Sequence, residues 1–557
     1  LSVHVTRMLP PGAAELNLSP LTQTTGIMGI GPLYCNTQHR RMSEIMLSEI
    51  ERTDAEEAEE PLRNEGYRLA AGFALGFINL GKGGDLRGLH DMHLSERLFK
   101  LAIGSKKVDL VHVLDKATAG AMIAIALIFM KSEDQQLARK LEMPKSTLQF
   151  GYIRPDIFLL RTLARNLILW SQIKPSRTWI EESLPHVYRR KCDLTQIDRL
   201  SSEDLPFYNI VAGLCFSIAL RYSGSGETHV RDLLVHYLDE LIRICNLAAP
   251  QFDQKITRNT VRNCQDLLAL SCATVMAGTG DLVIFRRLRA LRGRDDPDTP
   301  YGSHMVANIA IGALFLAGGT HTFGTSNVAL ASLIVAFYPI YPTSILDNKS
   351  HLQAFRHFWV LATEPRCIVA RDVETNLPVS LPLQIKLRPK RNPMDDVGPL
   401  SKIAPCLLPE VDEIESLTTG SREYWAVQLD FGMNEEHLKA FKRHMTVYVK
   451  RREAYDAKRG VFHATLQALD EGSEGKRQPL EWLWEFDAFR GFTSAERALV
   501  LPSGDKPVVR GMQGTLVDTR LVLEKATLES GNRARLVGLK ELFGWAEKMT
   551  ECGREPE

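Results

Sequence analysis

A short pattern recurs between Gly31 and Ala317 and limits the fold more than any other feature. A small residue sits in an apolar stretch of helical periodicity, and five positions later comes a residue suited to a turn. The clearest pairs are Gly76 with Gly81, Ala219 with Gly224, and Ala273 with Gly278. Weaker copies pair Gly31 with Asn36, Ala126 with Lys131, and Gly312 with Ala317. Successive anchors lie 45, 50, 93, 54 and 39 residues apart, and the gap of 93 holds one degenerate copy, Leu160 to Trp170. Spacings near 40–50 residues belong to helical-pair repeats, whose units cannot bury an apolar face alone and so stack on their neighbours.

Each unit reads as two helices. The first is rich in Gly and Ala, as in Leu69–Gly76 and Ala307–Leu316. Glycine inside a helix costs ~1 kcal/mol relative to alanine, so its repeated use points to an inner helix whose neighbours approach closely. Gly81, Gly224 and Gly278 suit the left-handed residue that ends a helix. The second helix is amphipathic, as in His39–Ile50 and His229–Ile242, where Leu233, Leu234, Tyr237, Leu238 and Leu241 form one stripe. Gly76→Leu or Gly312→Leu is therefore expected to break the stack by overpacking.

These residues resemble a known family. Leu69–Gly81 and Val275–Asp281 are similar to proteasome/cyclosome repeats, which occur in two large non-ATPase proteasome subunits and in the largest subunit of the anaphase-promoting complex. Met8–Pro11, Tyr301–His304 with Leu316–Thr320 and Thr325–Asn327, and above all His357–Val373 with its Glu364-Pro-Arg366 segment, point to the latter. The resemblance implies a non-catalytic scaffold of a cell-cycle ubiquitin ligase, present in nucleus and cytoplasm. Its partners would be the other subunits, including a cullin/RING module and a substrate-recruiting activator. A proteasome scaffold that receives ubiquitin-like domains is the alternative, and an enzyme built on a helical toroid is a more distant one.

The chain has 557 residues, more than one core supports, since single cores stop growing near roughly 250–300 residues. A repeat array escapes that limit. The fold expected is mainly α, with helical hairpins in a toroid or superhelix over residues 1–345. A β-rich region at 346–455 and a mixed segment at 456–557 would follow. The β reading rests on β-branched and aromatic residues in His357–Val373, Val379–Leu387, Tyr424–Phe431 and Thr446–Arg452. Residues 53–64, 293–304 and 388–399 read as loops or linkers. The last hundred residues carry an aromatic cluster, Trp482, Trp484, Phe486, Phe489 and Phe492.

Charge and chemistry narrow the function. With 68 Lys+Arg against 67 Asp+Glu the formal net charge is +1, which removes any global electrostatic case for nucleic acid or an anionic membrane as partner. The longest apolar run, Ala119–Met130, falls short of the roughly 20 residues a span requires. Nine cysteines without a CxxC pair suit a reducing compartment better than a disulfide framework. A start at Leu1 fits a piece of a longer protein. Gly81–Gly88 matches no phosphate-loop pattern, and Pro297 breaks the acidic run Asp295–Asp298. His90 and His93 lack further local ligands for zinc, Cys367 lacks an activating neighbour, and Lys386–Arg391 reads as a solvated linker before an import signal. No catalytic residue, cofactor or metal is expected.

Overall fold

Local hydrogen bonds set where the helices start. Ser19 accepts from the Thr22 N–H ahead of α1 (Pro20–Leu33), and Pro20 occupies its first turn. Then follow α2 (Arg40–Glu51), α3 (Arg63–Ile78), α4 (Leu94–Ile103) and α5 (Val111–Ile128). Asp134 caps the short α6 (Gln135–Lys140), and Ser176 caps α8 (Arg177–Ser183) after α7 (Pro155–Ile168). Next come α9 (Leu205–Arg221), α10 (Thr228–Cys245) and α11 (Phe252–Val275), which a Gln251/Gln254 capping box opens. Asp281 caps α12 (Leu282–Arg292), and α13 (Tyr301–Leu314) completes the series. The computed structural model describes residues 18–51, 63–103, 111–144, 150, 153–294, 299–348, 351–388, 398–421, 423–432 and 434–452.

Contacts divide the described residues into two compact units. The first comprises residues up to 370 with 379–418 and 428–447, and the second comprises 371–378, 419–427 and 448–452. In the first unit the odd-numbered helices α1 to α13 stack one on the next. Outer helices α2, α4, α10 and α12 pack chiefly on the inner helix that follows them. The amphipathic stripe of α10 buries Leu234, Tyr237, Leu238 and Leu241, with Leu233 half-buried. Inner helices need small residues because backbones meet: a Cβ on Gly72 would lie 2.2 Å from the Gly120 carbonyl oxygen, and one on Gly120 would lie 2.4 Å from that of Arg68. At Gly76 the obstacle is the Leu127 side chain, 2.6 Å away.

Gly312 departs from the expected pattern. A Cβ there meets nothing within 4 Å, because α13 ends the series and its outward face, including Gly312, is exposed. Residues 301–304 also differ from the expected loop: with Pro300 at the N-cap, Tyr301 already begins α13. Two stretches, Ser202–Arg221 and Tyr301–Gly319, are long and apolar enough to cross a membrane, and the first is 89% buried within the protein.

After α13 come β1 (His321–Phe323), α14 (Asn327–Ala336) and a 3-10 helix, Gln353–Ala362, where a strand was expected from His357. Its buried Arg356 donates to the carbonyls of Ala336, Tyr338 and Ile340, which holds this stretch in a helical turn against α14. β2 (Thr363–Pro365) pairs antiparallel with β1. A four-stranded sheet is ordered β6-β5-β8-β9, built from β5 (Leu381–Leu387), β6 (Leu400–Ala404), β8 (Ile414–Thr419) and β9 (Gln428–Asp430). A second sheet joins β3 (Cys367–Asp372) to β4 (Pro378–Val379), β7 (Cys406–Leu407) and β10 (Thr446–Val449). Strand β5 alternates as a half-buried strand should, with Leu381, Leu383 and Ile385 inward. Of the loop expected at 53–64, residues 53–62 lie outside the described residues, as do the linker core 389–397 and the aromatic cluster near Trp482, while Arg63 and Asn64 already begin α3.

Gly72→Ala is expected to lower stability by about 2–3 kcal/mol, as overpacking does when backbone must move, and Gly312→Ala to leave it unchanged or raise it by up to ~1 kcal/mol. Urea unfolding of the two variants measures the contrast.

Candidate functional site

The feature that binds the helical units is a ladder between backbones. The last carbonyls of an α-helix have no partner in their own helix. Here the preceding unit supplies one. Asn36 and Gln38 donate to the carbonyls of Phe77 and Ile78 at 2.9 and 3.0 Å. Gly81 and Gly83 donate to Leu127 and Ile128 at 3.0 and 2.8 Å, and Lys131 and Glu133 to Leu167 and Ile168 at 2.8 and 3.0 Å. Gly224 and Gly226 reach Thr274 and Val275, and Gly278 and Gly280 reach Ala313 and Leu314, all within 2.9–3.0 Å.

The geometry needs left-handed backbone. Gly81, Gly224 and Gly278 have φ of 67°, 62° and 76°, and the non-glycine counterparts Asn36, Lys131 and Ala317 have 62°, 61° and 46°. The anchors Gly31, Gly76, Ala126, Ala219 and Ala273 are all buried just before these turns, whereas Gly312 is not. Sequence reasoning missed the second donor, two residues beyond the first: Gln38, Gly83, Glu133, Gly226 and Gly280. The Gly-x-Gly triplets at 81–83, 224–226 and 278–280 carried its signal.

The turns of four units meet one short segment, residues 320–327. A Cβ on Gly224 would stand 2.2 Å from the Phe323 carbonyl oxygen, and one on Gly278 would stand 2.0 Å from that of His321. Gly81 faces the Asn327 amide, and Lys131 Nζ donates to the Thr325 carbonyl at 2.8 Å. Thr322 Oγ1 donates to the Ala277 carbonyl at 2.8 Å. Arg366, 2% exposed, fixes the segment from the residue between β2 and β3: its Nη2 donates to the Phe323 carbonyl at 3.2 Å and to Glu364 Oε2 at 3.1 Å. A buried guanidinium demands such partners.

The fourth unit interrupts the ladder. Asn166 stands at the anchor, its Nδ2 donating to Ser217 Oγ at 3.1 Å, and Ser171, five residues on, donates its N–H to the Glu133 carboxylate at 2.7 Å. Lys131 and Arg221 each stack on the Trp170 ring, 5.0 and 5.2 Å from its centroid. With only the seven-residue α8 outside, a cavity of about 960 Å³ opens there, lined by residues including Arg165, Leu169, Trp179, Pro185 and Leu214.

Groups that could carry chemistry are engaged otherwise. In the Gly81–Gly88 loop the Gly81 and Gly83 N–H groups serve the ladder, so they cannot cradle a phosphate. His90 opens a 3-10 turn, and exposed His93 lies 3.6 Å from Glu96. Among the described residues no three His, Cys, Asp or Glu side chains gather as a metal site. Half-buried Cys367 begins β3, and burial pushes its thiol up, away from the nucleophilic thiolate. Lys386 pairs with Glu415 at 3.0 Å, while Asp295–Asp298 and residues 389–391 of the basic run lie outside the described residues. Asp266 on α11 is fully buried. Burial pushes its carboxyl up to about 7, against the opposing pull of the Ser303 hydroxyl, which donates to Oδ2 at 2.6 Å.

Comparison with known proteins decides the family. A family model described as the APC1 fifth domain matches residues 1–364, and one described as the APC1 beta sandwich domain matches residues 366–452. The chain belongs to this family, that of anaphase-promoting complex subunit 1. The boundary between the two matches falls at Pro365, where β2 ends. A relative from Emericella nidulans, named negative regulator of mitosis, is 50% identical over 98% of this chain and 29% of its own length. Anaphase-promoting complex subunit 1 of Schizosaccharomyces pombe is 41% identical over 80% of the chain and 30% of its own length. The Homo sapiens subunit of that name is 33% identical over 81% of the chain and 24% of its own length. The chain thus spans less than a third of the curated relatives named here. Of the two complexes suggested by the repeats, these matches belong to the anaphase-promoting complex.

The ladder predicts unequal costs for equal substitutions. Gly226→Ala should cost about 1–2 kcal/mol for its left-handed backbone alone, since its nearest contact is 3.6 Å away. Gly278→Ala should cost clearly more, because its Cβ would collide with the His321 carbonyl. Urea midpoints compare them. Asp266 predicts a pH effect. An unfolded carboxyl titrates near 3.9 and the native one near 7, so between these values the native state binds more protons and stability falls as pH rises. Asp266→Asn should flatten the fall in unfolding free energy between pH 5.5 and 7.5.

Proposed function

We propose that the chain is a non-catalytic scaffold section of an anaphase-promoting complex subunit, holding a cullin/RING module and a substrate-recruiting activator in fixed relation while the transfer chemistry belongs to those partners. The ladder carries this reading. Five of the inner helices, α3, α5, α7, α11 and α13, are closed by the turn before them, and turns from four units share the segment 320–327, so the stack resists bending at those joints. A stiff array with unequal outer helices offers distinct docking faces without needing a reactive centre. Small-residue helices and left-handed turns serve stacking directly. The relatives' names, negative regulator of mitosis and anaphase-promoting complex subunit 1, support the setting. Residence in nucleus and cytoplasm belongs to the same proposal.

Affinity purification of the full-length protein tests it. The other subunits of the complex, a cullin/RING pair among them, should copurify in stoichiometric amounts, and recovery of proteasomal ATPases in their place would overturn the reading. In the same purified complex Cys367→Ala should keep ubiquitin-ligase activity within twofold. A loss of activity with the complex intact would make this chain part of the chemistry.

A further inference from the structure

The second unit carries a surface that its own fold does not use. Residues 448–452 run beside residue 373, whose N–H donates to the Val449 carbonyl at 3.1 Å, and beside residues 423–425. There the Trp425 N–H donates to the Lys450 carbonyl at 2.9 Å, the Arg452 N–H to the Glu423 carbonyl at 2.8 Å, and Tyr424 bridges to Arg451. Strand alternation then sorts the side chains. Val449 and Tyr424 turn inward and are buried, while Tyr448, Lys450 and Trp425 are exposed.

The exposed set is unusual in kind. Trp425 is 58% and Tyr448 57% exposed, and Val373 and Leu377 add 55% and 63% on the adjoining segment. Arg452 lays its guanidinium over the Trp425 ring, 4.9 Å from the centroid, and its Nε donates to the Tyr424 carbonyl at 3.3 Å, so the cation is held in place. Lys450 is exposed beside it, and half-exposed Arg371 is anchored through Nη1 to the Asn376 carbonyl at 2.9 Å. Nearby, Asp372 is buried and accepts the N–H groups of Glu374 and Thr375, while exposed Glu374 and half-buried Glu423 are the carboxylates that oppose the cations Arg371, Lys450, Arg451 and Arg452.

We infer that this face, Trp425, Tyr448, Lys450 and Arg452, is the docking site for an acidic segment of another subunit of the complex, one that places an apolar or aromatic side chain on Trp425. Trp, Tyr and Arg are the residue types that concentrate binding energy at interfaces, and a held guanidinium favours carboxylate partners geometrically as well as by charge. Charge complementarity selects an acidic partner, and the exposed rings add the apolar contact that an ion pair alone lacks.

The inference rests on the scaffold reading, and the experiment separates the two. The photo-crosslinker p-benzoylphenylalanine replaces Tyr448 in the full-length protein, and the complex is purified, irradiated and digested for mass spectrometry. The expected product joins position 448 to a segment of net negative charge in another subunit. Lys450→Glu with Arg452→Glu should lower its yield at least fivefold while the other subunits still copurify, so that loss of the product is not loss of the scaffold. A crosslink to a neutral or basic segment, a crosslink to the chain's own acidic and aromatic stretch 481–489, or no product from an intact complex would each overturn the inference.

Discussion

An α-helix leaves its final carbonyls without partners, and in a stack of buried helices water cannot supply them. Everything else in the helical region follows from how that shortage is met. The donors come from the preceding unit's turn, two N–H groups at a time, so closing a helix and joining two units are one event. An unsatisfied buried carbonyl costs about 1–3 kcal/mol, against a net gain of only about 1 kcal/mol for a typical hydrogen bond. Losing a joint is therefore worse than the bonds themselves suggest, and the stack behaves as a unit.

The ladder also explains the composition of the inner helices. For a turn to reach the end of the next helix, adjacent inner helices must lie close together. At Gly72 and Gly120 backbone meets backbone without room for a methyl group. The same closeness leaves no room for a Cβ at Gly224 and Gly278, whose turns face residues 320–327. Where the fourth unit lacks the pattern, side chains take over: a carboxylate accepts the turn's N–H, and cations stack on Trp170. The cavity there marks the one joint among the described residues at which side chains replace this backbone fit.

What the sequence made legible and what it hid divide along the same line. Helical periodicity and the turn five residues past each anchor are local, and left-handed backbone selects glycine in three of the six copies, so a short window suffices. The second donor hides where its residue is Gln38 or Glu133, because a backbone N–H does not depend on the side chain that bears it. Gly312 has the residue type of an inner-helix contact, yet no window can say that its helix is the last in the series. The Glu364-Pro-Arg366 segment stood out through resemblance, but its role needs the fold: Arg366 finds its partner at Phe323, far away in sequence.

That arginine shows how the repeat region and the β region depend on one another. Its backbone N–H donates to the Thr320 carbonyl and its carbonyl accepts from Leu408, while its side chain holds Phe323 against the turn at Gly224. One residue thus ties Thr320 and β1 to Leu408, the residue that follows β7. The charge is buried and costs desolvation, so it persists only where every partner is in place. Segment 320–327 could not be shifted to relieve a misfitted unit without breaking those bonds. Rigidity at the turns and rigidity at the junction with the β region are one property, set by a strand that several units share.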